Sequence, residues 1–405
     1  MRMVIALALS LMPALAVAAG AIATPTTCVA PTVTSDGWPV AAPAKEGFDP
    51  GLICSIGPAL KGLTAVNMDG AVVALHPNGV VVVRHGTLVY EHYFGRDDAH
   101  TVHPLMSISK SVVALLAGVA SDHGWLKQVD APAFSYFPDD SDLRSHDKDG
   151  ITVRELLTMS SGLSWPELAV PYSNPANIVQ RMAMAPDPYR FVLARPIAAT
   201  PGTVWHYNSG GVELLGEILT KVAHQPLDQF AQQALFDPLG IRYADWVWGR
   251  AAHLKVAASW GLYLLPRDLA KIGQLVLNHG AWHGHQIVSA QWINEMASPQ
   301  VPRFRKANEF HVNCYGYLWW LGRSRVGGQE INWVAGIGHG GQKLYVVPSL
   351  DLVVVVTAGD YNFFPETSLV GSTALDIVLR AALEATSSQK RLVSSGDETI
   401  RTGKQ

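Results

Sequence analysis

Three groups of residues in this sequence have the types and spacing for one kind of chemistry, proton-assisted attack by a serine. The first is Ser107 with Lys110. A lysine three residues after a serine lies on the same face of a helix, within reach of its hydroxyl. Burying the ammonium lowers its pKa, so the amine can take a proton near neutral pH. The run 109–119, Ser-Lys-Ser-Val-Val-Ala-Leu-Leu-Ala-Gly-Val, is apolar nearly all round and predicts a helix in the centre of the protein. Ser107 opens that helix, where free N–H groups and the helix dipole favour negative charge near the serine oxygen. The plainer alternative is a capping serine followed by a lysine that snorkels to water. The same spacing recurs at Ser145/Lys148, in a charged loop, and at Ser387/Lys390, in a polar tail. Both are ascribed to chance.

The second group lies in 201–211, Pro-Gly-Thr-Val-Trp-His-Tyr-Asn-Ser-Gly-Gly, a turn-rich loop leading into an amphipathic helix. A phenol at Tyr207, held beside a lysine, has its anion stabilised and can pass a proton between nucleophile and leaving group. Read plainly, Asn208 or Ser209 only caps the helix. The third group is 336–342, Gly-Ile-Gly-His-Gly-Gly-Gln, placed at the start of a strand that continues through Tyr345 and Val347. Its glycines allow a substrate to approach an edge strand closely, or simply form a turn.

The elements that must position these groups follow from hydropathy patterning. A helix is predicted over 49–63 and a hairpin from 80–84 and 88–94. Strand patterns return at 317–321, 343–347 and 352–357, the last two joined by Pro348-Ser349-Leu350-Asp351. The sheet is therefore assembled from both ends of the chain. Between them, helical periodicity dominates, as at 152–159 and 212–222; further helices are predicted over 266–278 and 369–385, covering the sheet. The predicted organisation is a leader at 1–23, an α/β unit from 24–105 and 257–385, a helical unit at 106–256, and a flexible tail at 386–405.

Composition narrows the function classes. The 405 residues are 48% hydrophobic and 16% charged, with a net charge of −3, enough apolar content for a large core. With no dense Lys/Arg run, nucleic acid is not an expected partner. The N-terminus, Met1-Arg2 followed by an apolar stretch from Val4 to about Ala19 with small residues beyond, reads as a cleaved export signal. It is interrupted by Pro13 and falls short of the roughly 20 residues of a spanning helix, so a soluble periplasmic or secreted protein with no stable membrane span is expected. An oxidising destination predicts one disulfide, Cys28 with Cys54, leaving Cys314 free; three free thiols are the alternative. His279, His283 and His285 have possible ligand spacing, but they sit in a Gly-rich turn and no metal or other cofactor is assigned.

Taken together, the three groups resemble the three signatures of the β-lactamase and penicillin-binding-protein superfamily, whose serine–lysine motif opens a central helix. Class C β-lactamases, family VIII esterases and 6-aminohexanoate-dimer hydrolases are the most similar groups. The stretches 151–163 (ITVRELLTMSSGL) and 261–270 (GLYLLPRDLA) also match, so the resemblance spans nearly the whole mature chain. It implies an α+β fold, a mainly antiparallel sheet flanked by helices with an inserted all-helical region. It makes Ser107 the acylated nucleophile, Lys110 its base or proton relay, Tyr207 the second-motif tyrosine and His339 the counterpart of the third-motif lysine. The oxyanion hole would use the backbone N–H groups of Ser107 and Gln342, with Gly341 beside them.

Two departures bear on substrate. The second motif usually reads Tyr-x-Asn, whereas here it is Tyr207-Asn208-Ser209, so the orienting amide is shifted or replaced. An unperturbed histidine at 339 is mostly neutral and anchors a substrate carboxylate weakly. The expectation is thus a serine hydrolase of small-molecule esters or amides working through an acyl-enzyme. The alternatives are a β-lactamase or DD-peptidase, or a non-catalytic sensor on the same scaffold. Trp165, Glu167, Tyr172 and Trp320 are candidates for the pocket wall. Oligomeric state is not legible.

Overall fold

The computed structural model describes residues 29–251, 254–301, 312–363 and 368–401, with side chains to residue 385. Its centre is a seven-stranded sheet of β1 (Pro77–Arg84), β2 (Thr87–Tyr93), β3 (Val312–Tyr315), β4 (Trp320–Val326), β5 (Gln329–Gly338), β6 (Gln342–Val347) and β7 (Leu352–Ala358). The order is β3-β4-β5-β6-β7-β1-β2, antiparallel throughout. The first hairpin closes through His85 and Gly86, both at positive φ, as a two-residue turn matching the strand twist requires. It then docks on the last strand, with Val80 opposite Val356 and Val82 opposite Val354. The two ends of the chain do make one sheet.

Residue alternation explains why these strands are nearly all valine. Val81, Val83, Val353 and Val355 enter one core and Val80, Val82, Val354 and Val356 the other, so both faces are covered. Helices α1 (Pro50–Cys54), α2 (Ile56–Lys61) and α7 (Leu369–Arg401) cover one face. The other carries α3 (Ile108–Asp122) and α6 (Pro266–Leu277), with α4 (Val153–Leu157) and α5 (Ser209–Ala223) packed beyond α3. The middle block is helical up to its end, where Trp246–Trp248 pairs with Leu262–Leu264, which in turn pairs with His103–Pro104. This small ribbon ties the entrance of the block to its exit.

Several elements depart from the expected boundaries. The helix over 49–63 breaks at Ser55, whose hydroxyl donates back to the Leu52 carbonyl at 2.7 Å. The strand expected at 317–321 starts only at Trp320, because Leu318 adopts φ 56° and its N–H is drawn to the Leu157 carbonyl. Strands β3 and β5 were not anticipated, since their polar and glycine content blurs the alternation. The segment 336–342 straddles a hairpin: β5 ends at Gly338 and β6 starts at Gln342. Helix α7 continues to Arg401, past the expected start of a flexible tail at Thr386; with no proline in this stretch, the ladder begun on the packed half can propagate. Cys54 is disulfide-bonded and Cys314 is free. Cys28 and the leader at 1–23 lie outside the described residues. No described helix is long and apolar enough to cross a membrane.

Candidate active site

Ser107 is the N-cap residue of α3 and is half-buried. Met106 before it is held at φ 49°, a left-handed conformation unusual for this residue type, and turns the chain abruptly into the helix. The other hydroxyls of α3 fix the helix. Ser109 Oγ accepts from the Leu262 N–H at 3.0 Å, and Ser111 Oγ donates to the Leu318 carbonyl at 2.9 Å. The Trp319 and Trp292 indoles donate to the carbonyls of Ser111 and Ala114. A helix held at so many points presents its first turn in one place.

Lys110 is 1% exposed, and its Nζ donates to Ser107 Oγ at 2.9 Å and to the Ser259 carbonyl at 2.7 Å. Burial pushes its pKa down to about 8, against the opposing pull of the Glu167 and Glu213 carboxylates. Tyr207 lies beside it, with Nζ 5.0 Å from the ring centroid. The Tyr207 ring stacks on Trp320 at 5.9 Å. Tyr207, far from Ser107 and Lys110 in sequence, is therefore brought beside the amine of that pair.

The neighbours of Tyr207 look inward. Asn208 caps α5 by accepting from the Gly211 N–H at 3.0 Å, and its Nδ2 lies 3.4 Å from Ser161 Oγ. Ser209 gives both its N–H and its hydroxyl to Glu167, at 2.8 and 2.7 Å. Both are buried, so Asn208 and Ser209, the two positions where the second motif's substrate-orienting amide would be shifted or replaced, instead fix the start of α5. Glu167 also accepts from the Trp165 indole at 2.8 Å and the Tyr172 hydroxyl at 2.9 Å. Of the four candidate wall residues, Trp165 and Glu167 thus lie beneath the surface, while Tyr172 and Trp320 remain half-exposed.

Across from α3, His339, Gly340 and Gly341 form the turn between β5 and β6. The His339 ring lies between Tyr172 and Tyr361, at 5.2 and 5.6 Å. Gly338 seats on the backbone just before Ser107, where a Cβ would come 2.2 Å from the Leu105 carbonyl oxygen. Gly340 and Gly341, at φ 85° and 97°, adopt backbone that a side chain disfavours. The Gln342 side chain is fully buried, its amide donating to the Ala358 carbonyl and its Oε1 accepting from the Ala358 N–H. Its expected contribution rests on the backbone N–H alone.

This geometry agrees with what comparison finds. Residues 64–367 match the beta-lactamase family model. The chain belongs to the beta-lactamase family. Within that family it is 26% identical over 310 residues to a 6-aminohexanoate-dimer hydrolase of Paenarthrobacter ureafaciens, covering 68% of this chain and 70% of the relative. A lovastatin esterase of Penicillium rubens is 34% identical over 137 residues, 32% of either chain. A family VIII carboxylesterase structure superposes with a TM-score of 0.62 at 17% identity, covering 82% of this chain and 96% of that one. That last likeness concerns the fold.

Two residues beside Lys110 escaped the sequence reading. The Ser259 carbonyl accepts from Lys110, and Glu213 in turn accepts from Ser259. The signal for Glu213 was a carboxylate on the apolar side of an amphipathic helix; Ser259 sits in a turn and left none. His279 contacts Asn294 and His283 packs on Trp282. Among the described residues no three His, Cys, Asp or Glu side chains converge as metal ligands.

Proposed function

We propose that this chain is a serine hydrolase that cleaves esters or small amides through an acyl-enzyme on Ser107. The observation that carries the proposal is the buried Lys110 amine 2.9 Å from a half-buried serine hydroxyl at the head of α3. Lys110 takes the proton as Ser107 Oγ bonds to the substrate carbonyl carbon, and the carbonyl π pair moves onto oxygen. The resulting oxyanion faces the N-terminal end of α3 and the backbone of the β5–β6 turn. When the carbonyl reforms, the bond to the leaving group breaks, and that alkoxide or amine receives the proton from Lys110 by way of Tyr207. Water then repeats the sequence on the acyl-enzyme, releasing a carboxylic acid and restoring Ser107.

The third-motif position supports the choice of substrate. His339 stands between two tyrosine rings where the family resemblance places a lysine, which favours uncharged acyl groups over carboxylate-bearing lactams. The relatives named as a hydrolase of an aminohexanoate dimer and as an esterase support amide or ester cleavage. Export is part of the proposal: the engaged Cys54 suits an oxidising compartment. The test is to incubate the mature protein with p-nitrophenyl butyrate, a linear aminohexanoate amide and nitrocefin, following release and acyl-enzyme mass. Ester or amide cleavage with poor nitrocefin turnover supports the reading. Fast nitrocefin turnover overturns the substrate assignment, and absence of any acyl adduct on Ser107 overturns the mechanism.

A further inference from the structure

We infer that Glu213 is a positioning residue for the Ser107–Lys110 pair, fixing the Ser259 carbonyl so that the Lys110 amine meets the serine hydroxyl with its lone pair. The inference rests on the acyl-enzyme reading above. Glu213 is 5% exposed and sits in the first turns of α5. Its carboxylate accepts three donors from two consecutive residues: the Ala258 N–H at 3.0 Å, the Ser259 N–H at 3.0 Å and the Ser259 hydroxyl at 2.6 Å. The carbonyl of that same Ser259 is the second partner of Lys110 Nζ, at 2.7 Å.

The chemistry needs such an anchor. A neutral amine has two hydrogens and one lone pair, and it acts as a base only when the lone pair faces the proton to be taken. Committing one hydrogen to the Ser259 carbonyl leaves the lone pair free to face Ser107 Oγ. Residues 258–260 form a turn outside any helix or strand, so no regular ladder sets where that carbonyl points. Glu213 does so from the helix that also carries Ser209 and follows Tyr207. A buried carboxylate is costly to retain unless it is hydrogen-bonded and paired. Burial pushes the Glu213 carboxyl up, its three donors and Lys110 pull it back down, and it lies close enough to Lys110 to hold up the lysine's pKa, together with Glu167. The groups facing Lys110 are thus Ser107, the Tyr207 ring, the Ser259 carbonyl and these two carboxylates.

The test uses the full mature chain and a fluorophosphonate, which requires no knowledge of the natural substrate. Ser107 Oγ bonds to phosphorus, fluoride departs with the P–F electron pair, and Lys110 takes the serine proton; intact mass reports the rate. In the wild type the rate should rise with pH through about 8. Glu213→Gln keeps the shape but removes the charge, and its NH₂ cannot accept from the 258–259 turn. The expected result is a limiting rate about ten- to a hundredfold lower, with the rise displaced to lower pH because Lys110 has lost a negative neighbour. Ser259→Ala, which removes one donor and no charge, should lower the limiting rate less and leave the rise in place. A merely structural Glu213 would reduce only the labelled fraction, with rate and pH dependence unchanged per active molecule, and that result overturns the inference. Should Glu213→Gln fail to fold, an unchanged limiting rate in Ser259→Ala overturns it instead. Wild-type labelling elsewhere than Ser107, or none, overturns the hydrolase reading and this inference with it.

Discussion

Ser107/Lys110 and Ser145/Lys148 share one spacing but not its geometry. Both lysines are buried. On α3 the spacing spans a helical turn, and Lys110 Nζ reaches Ser107 Oγ at 2.9 Å. Ser145 instead has extended backbone at φ −143° and ψ 159° ahead of a single short 3-10 turn. Lys148 Nζ passes its serine and donates to the carbonyls of Leu143 and Leu193 at 3.1 and 2.6 Å. The charges around them differ as well. Lys110 faces two carboxylates, whereas burial and the neighbouring Arg195 both depress Lys148. A serine–lysine pair becomes chemical when a helix aims the amine at the hydroxyl and nearby groups keep it there; otherwise the lysine is a clasp between loops.

The sharpest way to break this contrast is at the two serines. Ser107→Ala should lower p-nitrophenyl butyrate turnover by at least about a thousandfold and abolish the acyl adduct by mass. At the two lysines the effects should separate by kind. Lys110→Met should lower kcat by about a hundredfold or more. Lys148→Met should leave kcat unchanged and cost about 1–3 kcal/mol of stability, read by denaturant melts, because the half-buried Leu143 and the buried Leu193 carbonyls lose their donor.

The pH dependence sharpens the same contrast. With Lys110 depressed to about 8, kcat/KM should climb as pH rises through that value and then level. Stability carries the matching sign. Between about 8 and the ordinary lysine value of 10.5, the unfolded chain binds the proton that the folded chain has released, so stability contributed by this group rises with pH across that window. Urea melts from pH 7 to 10, compared between wild type and Lys110→Met, would show whether that slope belongs to Lys110. Smaller still is Glu167→Gln. It should move the rise in kcat/KM to lower pH and, by loosening Tyr172, raise KM about threefold. Ser145→Ala should change activity less than about twofold, and a larger loss would mean that the second pair is not a bystander.

Much of the site was legible because its chemistry is local. Ser107 and Lys110 stand one turn apart in an apolar run, and such a run can only be a buried helix, so type, spacing and burial were all written in one segment. The valine strands at 80–83 and 352–356 were legible for the same reason: strands covered on both faces need no alternation. The motifs at 201–211 and 336–342 were visible as turn-formers, but the direction of their side chains was not. Asn208 and Ser209 turn inward because the start of α5 needs a cap and Glu167 needs donors, and Gln342 turns inward because Ala358 lies across the sheet. The sequence by itself determined the Ser107–Lys110 spacing on a buried helix, the sheet's assembly from both chain ends and the family. Only the tertiary structure decided what surrounds Lys110, because Glu167, Glu213 and Ser259 converge on it from three distant segments. Burial and charge at one amine depend on that convergence, and no spacing along the chain encodes it.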